Sequence, residues 1–382
     1  MKNWMQYCLD ENDIINLDSA SYHPISDSMQ EYISELLKVI ANPSSVHALG
    51  RNLNEMMEEA RCDIADVLGC DSDEIYFTSG ATESFVTVMN IWKQLKKVEN
   101  TKDRLMCSPF EHDTVKIHVD TNRTRNLKDN DILMLANNET GEIYDHYFTK
   151  RYFYSDISSA VGNMEINLHK LRVYSAGFSA EKFGGLSGVG CLYLSRDLQD
   201  KMTKINYIPL IPGRQEKSMR GGTENILGIL VMGRAIKESA ESLYYKNRIY
   251  KDFKNILLNA FDDEEIDYIV NENKGNNLSN ILSVSFKGID GQGLQQYLSN
   301  NNVFIGTGAA CNGGSNAPSE VLEYLKVPKD YILGTIRFSF HEDNTYNEIK
   351  HVADLILDYF NNMKTVENKK IPLNDITDRM VI

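Results

Sequence analysis

Apolar and polar positions change rhythm several times along the chain, and each change marks an element. Residues 26–41, SDSMQEYISELLKVIA, place apolar residues at helical spacing behind Ser26 or Asp27, either of which suits an N-cap. Pro43 and the serine pair of NPSSVH break the chain. A long amphipathic helix then runs to Leu68, where Gly69 ends it. EIYFTSGATESFVTVMNIWKQL reads as a strand, a turn of small residues and a helix. RLMCSPFEH, DILMLANNETG, YFYSDISSAVG and RVYSAGFSAEK are apolar runs that end in polar turns. Strands of this kind, with helices between some of them, predict an α/β fold with an open, mostly parallel sheet. From about Asp197 to Asp252 the rhythm turns helical, as at a passage between domains, and strands and helices alternate again beyond it. The predicted division is a large domain over 14–248 and a smaller α/β domain formed by 1–13 and 249–382.

Composition narrows the class. The 382 residues are 42% hydrophobic and 25% charged, as in an ordinary soluble globular protein. No apolar run reaches the roughly 18 residues of a membrane span, and the start lacks a basic and then apolar leader. Six scattered cysteines with no C-x-x-C pair argue against a zinc site or a disulfide framework, and predict reduced thiols in the cytoplasm. A net charge of −14 repels phosphate backbones, which excludes direct, sequence-independent nucleic-acid binding.

Candidate chemistry gathers at the strand ends. In FTSGATES (77–84) a strand enters a helix through Ser-Gly-Ala-Thr. Free N–H groups beside a hydroxyl there form an anion site, with the Ala81 amide and Thr82 as phosphate ligands. Asp156 ends the apolar strand of YSDISS, and a carboxylate there needs a partner. Lys182 follows one strand later in GFSAEKFGG, among small and apolar residues that favour a neutral amine. Such an amine forms an imine with an aldehyde. A phosphate site, an aspartate and a lysine in this order make a pyridoxal phosphate pocket. Cys311 lies in GTGAACNGGSNAPS, which is too rich in Gly, Asn and Ser to pack as core.

These stretches resemble the cysteine desulfurases, pyridoxal-phosphate enzymes of the class V aminotransferase type. The resemblance runs from NLDSAS to TIRFSFH through NPSSVH, TSGATES, FEH, NNETG, SDISS, SAEK, MRGGTEN and GAAC. It implies the type I fold of pyridoxal-phosphate-dependent transferases. It makes Lys182 the cofactor lysine and Asp156 the partner of the pyridine nitrogen. His112 stacks on the ring and shuttles protons. Ala81, Thr82 and Ser179 hold the phosphate, and Ser159 lies near the ring hydroxyl. Thr223 reaches the phosphate of a second subunit, which implies a homodimer with shared sites. Asn138 and Arg337 take the substrate carboxylate, and Cys311 accepts the sulfur of L-cysteine for transfer to an acceptor protein. Cys311 stands 26 residues before Arg337, a span that resembles the group with a long cysteine loop.

Three departures stand out. Glu181 precedes the lysine where the family has histidine, Ser159 replaces a glutamine, and the stretch from His112 to Asn137 is short. They point to a dedicated pathway, such as nucleic-acid thiolation or phosphorothioation, or to iron–sulfur assembly. A related class V lyase or aminotransferase is the competing enzyme reading, and a catalytically weakened scaffold that binds partners is the non-enzymatic one.

Overall fold

The computed structural model describes residues 14–39, 41–121, 127–146, 151–272, 276–307 and 319–369, the side chains of 128 and 364–369 excepted. The chain opens with β1 (Ile15–Leu17), α1 (Asp27–Leu36) and α2 (Ala48–Leu68). Ser26 caps α1 by accepting from the Met29 amide, and Gly69 closes α2 in the left-handed conformation (φ 61°) that glycine adopts without strain. β2 (Ile75–Thr78) leads into α3 (Ala81–Glu99) through the predicted small-residue turn. β3 (Met106–Cys107), α4 (Asp113–His118) and β4 (Asp120–Thr121) are all short. β5 (Ser155–Asp156), β6 (Ser175–Ser179) and β7 (Gly190–Leu194) complete the first sheet, in the order β2-β7-β6-β5.

β5 and β6 are parallel, and single parallel bridges carry the run outward through Ile132 to Cys107. β7 departs from the parallel expectation: it runs antiparallel to both neighbours. The tight turn between Ser179 and Gly190 leaves no length for a crossover helix, so β7 returns as a hairpin strand. β2, β5 and β6 therefore point the same way, and their carboxyl ends share one edge.

α5 (Arg196–Lys204), α6 (Ile226–Glu241) and α7 (Leu243–Asp263) follow. The helical rhythm expected over 197–252 is interrupted between α5 and α6, where Pro209, Pro212, Gly213, Gly221 and Gly222 deny the backbone a continuous helix. A second sheet collects β8 (Tyr268–Val270), β9 (Ile281–Phe286), β10 (Val303–Thr307) and β11 (Thr335–Ser339), with α8 (Gly291–Asn300), α9 (Glu320–Tyr324), α10 (Lys329–Ile332) and α11 (Tyr346–Lys369). Its order is β1-β10-β11-β9-β8, so the first described strand lies in the second sheet, parallel to β10.

Two cores follow from this. One packs α1, α2 and α6 on the first sheet around Ile64, Phe77, Ile157, Phe178 and Val231, with a satellite cluster around Phe85 and Tyr154. The other packs α7, α8 and α11 on the second sheet around Phe253, Phe286, Leu294, Phe338 and Ile356. Each residue named is nearly or fully withdrawn from solvent, worth about 1.5–3 kcal/mol apiece.

Candidate active site

The phosphate end of the predicted site is built first. Thr78 and Ser179 both oppose Gly190, which sets the ends of β2 and β6 on either side of one β7 residue. A Cβ on Gly190 would lie 2.2 Å from the Phe178 carbonyl oxygen and 2.7 Å from the Gly80 Cα, so only glycine permits this approach. The Ser179 hydroxyl accepts a 2.8 Å hydrogen bond from the Ala81 amide at the start of α3. Thr82 sits exposed in the first turn. Glu83 is tied into the same turn: its carboxylate accepts from the Ser79 amide and from Arg220. Burial raises the Glu83 pKa, but the Arg220 and Ser79 hydrogen bonds outweigh this and hold it below the ordinary value. Arg220 thus ties the MRGGTEN loop to α3, and Thr223 is exposed three residues further on.

Asp156 ends β5 opposite Gly177 of β6, two residues before Ser179. Its Oδ1 accepts from the Ser158 amide at 2.8 Å, and its main-chain oxygen accepts from the Leu135 amide. Ser159 is half-buried beside it, and its carbonyl takes a bond from Asn163. The Leu135 strand leads into a turn that Asn137 fixes by accepting from the amides of Glu139 and Thr140. Asn138 therefore stands next to the Asp156 strand end, and its carbonyl accepts from Arg337 at 2.8 Å.

Arg337, on β11, is one of the links between the two sheets. Its side chain is 8% exposed. Nη2 donates to Asp18 Oδ1 at 2.5 Å and to Ser21 Oγ at 2.8 Å, while the buried Nε has no partner among the described residues. Such an unspent donor is costly unless a ligand takes it. Lys182 follows Ser179 in a single 3-10 turn, and its Nζ donates to the Ser21 carbonyl at 2.7 Å. One residue, Ser21, thus binds both the lysine and the arginine. Glu181 is half-buried and makes no ion pair among the described residues.

His112 is exposed and caps α4, its Nδ1 accepting from the Thr114 amide. The preceding Glu111 is buried, and its Oε1 accepts from Ser108 Oγ at 2.9 Å and from the Met134 amide at 2.7 Å. Burial, with the Asp156 charge in support, pushes its carboxyl up to about 8. Glu139 is buried too, accepts from Ser319 Oγ at 2.6 Å, and is raised to about 7 by burial. Cys311 lies outside the described residues.

Ala81, Ser179, Asp156, Lys182, Asn138 and Arg337 are thus joined through shared bonds and strand pairing. The hydroxyls at the start of α3 and the end of β6, the carboxylate and the amine gather at neighbouring strand ends and fit pyridoxal phosphate as a donor set, with the Ala81 amide itself spent on Ser179. Asp18, Ser21, Glu111 and Glu139 were not singled out from sequence. Asp18 and Ser21 lie in NLDSAS and the glutamates in FEH and NNETG, so the motifs carried a signal that single-residue reasoning left unused.

The profile of the class V aminotransferases matches residues 15–146 and 133–352. The chain belongs to the cysteine desulfurase family. It is 31% identical over 381 residues to a putative cysteine desulfurase IscS 1 of Bacillus subtilis, covering 90% of this chain and 98% of that one. A cysteine desulfurase IscS of Dictyoglomus turgidum is 30% identical, with 93% and 97% covered. A solved NifS-like protein superposes with a TM-score of 0.78 at 26% identity, over 91% of this chain and 99% of that one. The apo cysteine desulfurase of Thermococcus onnurineus shares the fold alone, at a TM-score of 0.75 and 20% identity. The chain has the α/β type I fold of this family, whose members depend on pyridoxal phosphate. Among the described residues no helix is long and apolar enough to cross a membrane.

Proposed function

We propose that this enzyme converts L-cysteine to L-alanine and passes the sulfur, through a persulfide on Cys311, to an acceptor protein. The single observation that carries this reading is the double use of Ser21, which brings the Lys182 amine and the Arg337 guanidinium within one residue of each other. An α-amino acid whose carboxylate sits on Arg337 thereby offers its α-carbon to Lys182.

Ala81, Thr82 and Ser179 would hold the phosphate of pyridoxal phosphate, with Thr223 serving a second subunit. Asp156 would pair with its ring nitrogen, with His112 over the ring and Ser159 near the ring hydroxyl. When bound, the cofactor supplies an electron sink for charge developing at the α-carbon. Lys182 takes and returns the α-proton, and Asn138 and Arg337 fix the carboxylate in two-point fashion. The Cys311 thiolate attacks the substrate sulfur. The carbon–sulfur bond breaks, its electron pair stays with carbon and takes a proton, and alanine leaves while Cys311 keeps a persulfide anion.

The same reading includes a homodimer, a cytoplasmic location and a dedicated sulfur pathway. It also includes a division into 14–248 and 1–13 with 249–382. The two cores support that division, although β1 crosses it by pairing with β10. The test is a product assay: purified protein with cysteine and a thiol yields alanine and sulfide in equal amounts, and Cys311→Ser abolishes sulfide. Parent rates from Cys311→Ser would refute the reading.

A further inference from the structure

Behind Ser21 lies a group of buried ionisable side chains that the chemistry above does not use. His23 is 7% exposed. Its Nδ1 lies 2.8 Å from the Pro24 carbonyl oxygen and its Nε2 lies 3.0 Å from Glu342 Oε2. A carbonyl and a carboxylate only accept, so the ring serves both at once only with a hydrogen on each nitrogen. The His23 amide in turn donates to the Glu181 carbonyl at 2.9 Å. The main chain from 21 to 23 is therefore held at one end by the ring and along its length by the residue next to Lys182.

Other charged groups face this pair. Lys246 of α7 is 2% exposed, and burial lowers its pKa. Tyr250 of the same helix donates to Glu342 Oε2 at 3.4 Å. The His341 ring meets His23 edge-on at 6.0 Å and has Asp343 at 3.9 Å. Burial would raise the Glu342 carboxyl, but the His23 bond and the positive charges of His23 and Lys246 pull it down to about 2. Glu342 is thus an anion across the working range, hydrogen-bonded to the His23 ring.

We propose that His23 is a positioning residue for Lys182: clamped between Pro24 and Glu342, it fixes the Ser21 carbonyl that receives the lysine amine. This rests on the reading of Lys182 given above. The two ring bonds and the bond from the His23 amide to Glu181 keep the lysine and its acceptor aligned.

The test compares His23→Ala, His23→Lys and Glu342→Gln with the parent, all loaded with cofactor. His23→Ala is expected to lower kcat roughly ten- to a hundred-fold, as small misplacements do, with KM for cysteine changed far less. It is also expected to shift the visible absorbance band of the loaded enzyme. His23→Lys, which restores a hydrogen-bond donor to Glu342, recovers part of the rate. Glu342→Gln, at a half-exposed position, moves in the direction of His23→Ala and serves if the alanine variant does not fold. A parent-like kcat and absorbance band in both His23→Ala and Glu342→Gln would overturn the proposal. Borohydride reduction and peptide mapping separate the two layers. Cofactor label on Lys182 keeps the underlying reading whatever His23 does, whereas label on another residue removes the ground for both.

Discussion

Arg61 and Glu216 form a buried pair whose disruption gives a graded forecast. Their side chains are 3% and 2% exposed. Arg61 Nη2 donates to Glu216 Oε1 at 2.8 Å and Nη1 to Oε2 at 2.9 Å, and Nη1 also serves the Ile75 carbonyl. Glu58 takes the Nε and Nη2 edge, and the guanidinium lies 4.2 Å from the Phe77 ring centroid. Burial lowers the Arg61 pKa, but its bonds to Glu216 and Glu58 raise it further, so the residue stays charged. Glu216 also accepts from the Phe77 amide at 2.7 Å. It opens a turn in which Glu216, Lys217 and Ser218 all have positive φ (46°, 54° and 67°), a conformation costing about 1–2 kcal/mol per residue. The ion pair offsets that strain and pins the loop that carries Arg220 and Thr223. Arg61→Ala strands a buried carboxylate with one amide partner and is expected to cost about 3–5 kcal/mol. Glu216→Gln keeps the Phe77 bond and leaves Arg61 paired with Glu58, so it loses only about 1.5–3 kcal/mol. Urea unfolding of both variants reads the difference. A loss below about 1 kcal/mol for Arg61→Ala, or the reverse order of the two variants, would refute the reasoning.

Two more outcomes follow from the site's surroundings. The Glu111 carboxyl is raised to about 8 by burial, so the folded chain holds its proton more tightly than the unfolded one. Stability from this group is complete below the ordinary carboxylate range and is lost as pH rises toward 8. Glu111→Gln removes that slope, and thermal midpoints from pH 5 to pH 8.5 should fall less than in the parent. Gly190→Ala drives a Cβ into the Phe178 carbonyl and the Gly80 backbone, neither of which is a flexible side chain. It is expected to cost at least about 1–3 kcal/mol and to weaken cofactor retention, read by dialysis and absorbance.

Local chemistry was the legible part of this chain. Ser26 and Gly69 cap as their types require, and the strand–turn–helix around Gly80 lies where the small residues put it. Lys182 and Asp156 stand on neighbouring strand ends because order along a parallel run is also order in space. What escaped depends on main chain and on distance. A carbonyl such as that of Ser21 is the same atom in every residue, so no side-chain pattern announces that it receives Lys182. Glu111 and Glu139 have solvent-loving side chains, and only the folded chain shows that both are enclosed. The reversed direction of β7 and the break between α5 and α6 were hidden for a related reason. Apolar rhythm reports which face is buried, not which way a strand runs, and it does not count prolines.

Asp18 and Arg337 lie 319 positions apart, and among the described residues β1 has β10 as its one neighbouring strand. On a ribosome adding about 5–20 residues per second, the amino-terminal strand emerges well before its mate and waits many seconds with an open edge. Most residues of the first core precede β10, so a nascent chain can pack much of that core before Asp18 meets Arg337. Premature release in that interval would yield a fragment without the Asp18–Arg337 tie that joins the first described strand to β11.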